Sequence, residues 1–171
     1  MAAAPRSGWV GRLTEAVGPR TVIVCVGNTL AGDDGLGPAV AAGLAGGVPW
    51  PVLDAGAAPE NFLMKIVAHE PDMVLLVDTL AAGAAPGTIR LVEPADLAGP
   101  GPSTHGPAPT VFLEALVGVH PCRVVVLGVE PASLATGAPL SPAVARAAET
   151  IVAALRSLAG ECGPGGATAG G

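Results

Sequence analysis

Two adjacent carboxylates, Asp33 and Asp34, sit in a glycine-rich stretch directly after an apolar run, in "TVIVCVGNTLAGDDGLGPAV" (21–40). Loops of this shape commonly cradle phosphate, and the spacing of Gly27 and Gly32 is that of a P-loop. The Gly-Lys-Ser/Thr that should then follow is replaced by Asp33-Asp34. "GDDGLG" also has its glycines in the wrong order for a dinucleotide fingerprint, and the chain's one lysine, Lys65, lies on a separate predicted helix. Two negative charges at the mouth of a loop repel phosphate and suit a cation. The plainer account of the pair is helix capping: a carboxylate at a helix N-terminus accepts backbone N–H bonds and contributes ~1 kcal/mol.

A cation requires further ligands, and two other positions supply them. Asp78 closes the apolar run "DMVLLVD", which delivers a single carboxylate to the end of a strand. An aspartate there also serves simply to open a turn. His105 lies in "PADLAGPGPSTHGPAP", flanked by Ser103 and Thr104, in a loop of roughly fifteen residues, a length uncommon without a functional reason. His69, at a helix end, and His120, beside Pro121 at a turn, read as ordinary surface histidines. Asp34, Asp78 and His105 together form a mixed carboxylate–imidazole set suited to a borderline divalent ion such as nickel, zinc, manganese or iron. Two carboxylates and a neutral imidazole carry −2 against a +2 ion. His-Glu-x-x-His and Gly-x-Ser-x-Gly are both missing, and no cysteine stands near a histidine in a nucleophile motif, which disfavours serine and thiol hydrolases.

The elements that must position these residues follow from hydrophobic patterning. Strands are expected over 21–27, 50–55, 72–78, 88–93 and 123–129. Most are Val/Ile/Leu-rich and nearly continuous in hydrophobicity, as strands buried on both faces should be. "TIRLVE" (88–93) alternates and reads as a half-exposed edge strand. Helices are expected from Asp34 to about Leu44, Pro59 to His69, Pro109 to Val117 and Pro142 to Leu158. Ser141 caps the last, with Pro142 at its first position and a stripe of Val144, Ala148, Ile151, Val152 and Leu155. "TLAAGAAPG" is too short for a helical crossover, since parallel strands need about a dozen connecting residues. The fourth strand is therefore expected to run antiparallel, and the helix-containing connections to be right-handed crossovers. The predicted fold is an α/β three-layer sandwich: a mixed five-stranded sheet with one antiparallel strand, flanked by helices. Its ligands would gather outside the carboxyl ends of the parallel strands.

Composition bounds the rest. The 171 residues are 50% hydrophobic and 13% charged, without tyrosine, so the core must be aliphatic. A net charge of −6, with the basic residues scattered, disfavours nucleic acid and anionic membrane surfaces as partners. Apolar runs fall short of the ~20 residues of a spanning helix, and the first twenty residues lack the apolar segment of a secretory signal. Cys25, Cys122 and Cys162 form no C-x-x-C pair, and a cytoplasmic setting is expected. Residues 1–19 read as a flexible extension, 20–160 as one α/β domain, and 161–171 as a disordered glycine-rich tail.

With these residues assembled, the chain resembles the [NiFe]-hydrogenase maturation endopeptidases from about residue 21 to 158. The resemblance rests on "GNTLAGDDGLGPAV", "LDAGAAPENF", "LLVDTLAAGAAPGTIRL", "STHGPAP" and "VVVLGVEPASLATGAPLSPAV". Some members carry glutamate where Asp34 stands, which puts this chain with the aspartate subgroup. His105 is followed by Gly106-Pro107, where many members have bulkier or polar residues. The resemblance implies removal of the C-terminal peptide from the nickel-loaded precursor of a [NiFe]-hydrogenase large subunit. Asp34, Asp78 and His105 would grip a nickel ion that arrives with the substrate, a site where zinc or another divalent ion could substitute. Asp34 and Asp78 are the expected catalytic carboxylates. Asp54 of "LDAG" takes a supporting role, orienting Asn28 or the substrate segment, and Asp33 stands second in line for proton transfer. The rival reading is a non-catalytic metal-sensing or metallochaperone module using the same ligands.

Overall fold

The computed structural model describes residues 8–97 and 108–161. Five strands, β1 (Thr21–Val26), β2 (Val52–Gly56), β3 (Met73–Thr79), β4 (Ile89–Val92) and β5 (Arg123–Val129), form one sheet in the order β2-β1-β3-β5-β4. β1, β2, β3 and β5 are parallel, and β4 runs antiparallel along β5. β4 therefore opposes β3 in direction, as its short connection requires, but lies beyond β5 rather than beside its predecessor. All seven residues of β3 are buried, whereas β4, an edge strand, is mostly half-buried. A continuous apolar run and an alternating one mark these two environments.

Helices α1 (Trp9–Ala16), α2 (Leu36–Leu44), α3 (Leu63–Val67), α4 (Ala108–Val119) and α5 (Pro142–Glu161) complete the layers. Strand alternation divides the core in two. Ile23, Cys25, Leu75, Val77, Val125 and Leu127 pack with α2 and α5 on one face. Val22, Val24, Val74, Leu76, Val124 and Val126 pack with Ile66 of α3 and Phe112, Leu113 and Leu116 of α4 on the other. Successive side chains point to opposite faces, so one run of valines and leucines supplies both cores.

Three expectations are corrected. The segment read as a flexible extension holds α1, whose Leu13 is wholly buried, with Trp9 and Ala16 packed on the same core. Its apolar stripe at four- and three-residue spacing is short and interleaved with polar residues, which hid it. The helix expected from Asp34 begins with a 3₁₀ turn over Gly32–Gly35 before α2. The one expected over 59–69 likewise divides into a 3₁₀ turn, Pro59–Phe62, and α3. His105 and the tail from residue 162 onward lie outside the described residues.

Candidate active site

β1 and β3 are neighbours, yet the chain leaves β1 for β2 on one side while β3 lies on the other. This is the switch point of the sheet, where the loops beyond the strand ends diverge and leave a crevice. The acidic loop after β1 and the end of β3 both border it.

Asp34 is buried in the 3₁₀ turn that leads into α2. Its Oδ2 accepts the Asn28 backbone N–H at 2.9 Å, and its Oδ1 accepts the Thr79 hydroxyl at 3.3 Å. The Asn28 side chain turns into the loop, where its Oδ1 accepts the Leu30 N–H at 2.9 Å. Glycine allows the loop to fold this tightly: a Cβ on Gly27 would lie 1.9 Å from the Asp34 carbonyl oxygen, and one on Gly37 would lie 2.1 Å from that of Val26. No other residue fits either position.

Asp78 is buried as the penultimate residue of β3, with its Oδ1 accepting the Thr79 N–H at 2.7 Å. By alternation Asp78 follows Val74 and Leu76 onto the face of α3 and α4, and Thr79 follows Leu75 and Val77 onto the face of α2. That geometry turns the Thr79 hydroxyl toward Asp34. The structure brings Asp34 and Asp78 to one rim, linked through the residue next to Asp78. It does not describe His105, and among the described residues no cluster of three or more His, Cys, Asp or Glu side chains could hold a metal ion.

Asp33 points away from Asp34 and is wholly buried. Its carboxylate accepts N–H bonds from Ala132 (2.7 Å), Ser133 (3.0 Å) and Ser141 (2.6 Å), and the Ser141 hydroxyl at 3.0 Å. Burial pushes this carboxyl up, but the four donors outweigh it and hold the group below the usual carboxylate range. Such a group is an acceptor at neutral pH and a poor proton shuttle. Asp54 is exposed on β2 and accepts the Gly56 N–H at 3.1 Å, so it orients its own strand end rather than Asn28. His120 is tied to the Pro71 carbonyl at 2.9 Å, and His69 is exposed, in line with their reading as ordinary.

Sequence reasoning missed three polar residues at this rim: Thr79, Ser141 as a partner of Asp33, and Glu130. Glu130 is buried one residue past β5 and accepts the N–H groups of Ala82 (2.8 Å) and Gly83 (3.2 Å). The signal for it was present. "RVVVLGVE" ends an apolar strand in a carboxylate just as "MVLLVD" does.

Comparison with known proteins places this geometry in context. Residues 43–157 match the HycI family, described as hydrogenase maturation protease. The hydrogenase 3 maturation protease of Escherichia coli K12 is 33% identical over 144 residues, covering 83% of this chain and 92% of that one. The crystal structure of the [NiFe] hydrogenase maturation protease HycI from Thermococcus kodakarensis KOD1 is similar with a TM-score of 0.79 and 28% identity, over 87% of this chain and 99% of that one. The solution structure of the endopeptidase HycI from Escherichia coli gives a TM-score of 0.71 and 32% identity, over 80% and 89% of the two chains.

Proposed function

This chain belongs to the hydrogenase maturation protease family and is an endopeptidase, and from that premise we propose that it removes the C-terminal peptide from the nickel-loaded precursor of a [NiFe]-hydrogenase large subunit. The observation that carries the reading is that two buried carboxylates, Asp34 and Asp78, both border the sheet's switch point, with Thr79, the neighbour of Asp78, bonded to Asp34.

The nickel travels with the substrate. Asp34, Asp78 and His105 act as its ligands in the enzyme–substrate complex, and their grip positions the scissile peptide against the rim. Water adds to the scissile carbonyl carbon, the C–N bond breaks, and the departing amine takes a proton. A carboxylate of the pair or the substrate's metal activates that water. Thr79 and the Asn28 N–H hold Asp34 in one pose before substrate arrives, which lowers the cost of ordering it during the reaction. Asp54, exposed on the edge strand, contributes by contacting the substrate segment. The action is assigned to the cytoplasm, a setting suited to the free thiols of Cys25 and Cys122. None of the described helices is long and apolar enough to cross a membrane. The relatives are maturation proteases and endopeptidases, which leaves the non-catalytic metal-sensing reading without support.

Substitution separates binding from chemistry. Asp34→Asn and Asp78→Asn are each expected to lower precursor cleavage by roughly 100-fold or more. The folded enzyme and its ability to form a complex with the precursor should persist. Cleavage at the wild-type rate in either variant would remove that carboxylate from the mechanism.

A further inference from the structure

The segment "EPASLATGAPLS" (130–141) carries none of the chemistry assigned above, yet both of its ends are fastened to the site's loops. At its start, the Glu130 carboxylate holds the Ala82 and Gly83 N–H groups, immediately beyond Asp78 and Thr79. The Glu130 backbone adds two more ties to the same loop: its N–H donates to the Thr88 carbonyl at 3.0 Å, and its carbonyl accepts from Gly87 at 2.8 Å. At its far end, Ser141 gives both its N–H and its hydroxyl to Asp33, and Ala132 and Ser133 donate to the same carboxylate.

The contact with the acidic loop continues along the backbone. Asp33 N–H donates to the Ser133 carbonyl at 2.9 Å, and Gly137 N–H donates to the Leu30 carbonyl at 2.8 Å. Gly32, at φ +58°, approaches so closely that a Cβ there would sit 2.6 Å from the Ser133 oxygen. Two loops that leave different strands, one bearing Asp34 and one following Asp78, are thus fixed to a single third segment by two buried carboxylates. Both of those carboxylates are taken up by backbone N–H donors.

We propose that 130–141 is a bracket that sets the mutual position of the Asp34 and Asp78 loops, with Asp33 and Glu130 as positioning residues rather than groups that touch substrate. The inference rests on the reading that Asp34 and Asp78 perform the reaction. It predicts that loosening either clasp lowers turnover by each folded molecule without weakening capture of the precursor. A misplacement of about 1 Å at a catalytic group costs roughly 100-fold in rate.

The test measures kcat and KM of Asp33→Asn and Glu130→Gln on nickel-loaded precursor, with the folded fraction of each variant determined by circular dichroism at the assay temperature. The expected result is a fall in kcat per folded molecule of roughly 10- to 100-fold, with KM within about twofold of wild type. Ser141→Ala, which removes one hydroxyl and leaves the backbone ties, serves if Asp33→Asn fails to fold; a smaller fall confined to kcat is expected. An unchanged kcat per folded molecule would reduce the bracket to a stability element, and a rise confined to KM would make the segment a substrate contact; either overturns the proposal. Asp34→Asn measured alongside keeps the two readings apart. If it retains full activity, the assignment of Asp34 fails, whatever the clasp variants do.

Discussion

Asp33 and Asp34 are adjacent and chemically identical, and the backbone turns them to opposite tasks. Asp34 faces the end of β3, where Thr79 meets it, while Asp33 is consumed by four donors from 132–141. The sequence made the pair conspicuous but could not say which way either side chain points, because a 3₁₀ turn in place of a regular helix start sets that direction. A pH dependence follows from the difference. The folded-state pKa of Asp33 lies below its ordinary value, so the stability it contributes is present above the unfolded-state value near 3.8 and is lost as pH falls through the lower folded value. Thermal unfolding of wild type and Asp33→Asn should therefore show a wide gap in Tm at pH 7 that narrows below about pH 4. A gap that stays constant between pH 7 and pH 3 would contradict this account of the clasp.

At the level of elements, strands were legible and one helix was not. β1, β3 and β5 are buried on both faces, so their sequences are almost wholly apolar and announce themselves. β4 betrayed its edge position by alternation, and its short connection betrayed its direction. Its place beyond β5 was not legible, because which strand it joins depends on tertiary packing. α1 was missed for a related reason. Its eight residues carry one wholly buried side chain, Leu13, and its helical state depends on the core beneath it. Leu13→Ala should lower unfolding free energy by about 2–5 kcal/mol in urea denaturation. A change near zero would mean that α1 rests on the domain without stabilising it. The same limits apply to the rim. Asp78 was readable as a carboxylate ending an apolar run, while the equivalent cue at Glu130 was overlooked and Thr79 carried no cue beyond its place after Asp78.

For the molecule as a whole, the sheet order decides where chemistry is possible. Crossovers from β1 and into β3 diverge, so the crevice between their ends is bordered by the acidic loop on one face and by Asp78 on the other. In the proposed reading, a metal ion carried by the substrate joins the two faces and ties cleavage to a loaded precursor. The most direct measurement compares cleavage of nickel-loaded and nickel-free large-subunit precursor by the same enzyme preparation. The account predicts that the nickel-free form is processed roughly 100-fold or more slowly, equivalent to about 2.7 kcal/mol of transition-state stabilisation. Equal rates on both forms would contradict it.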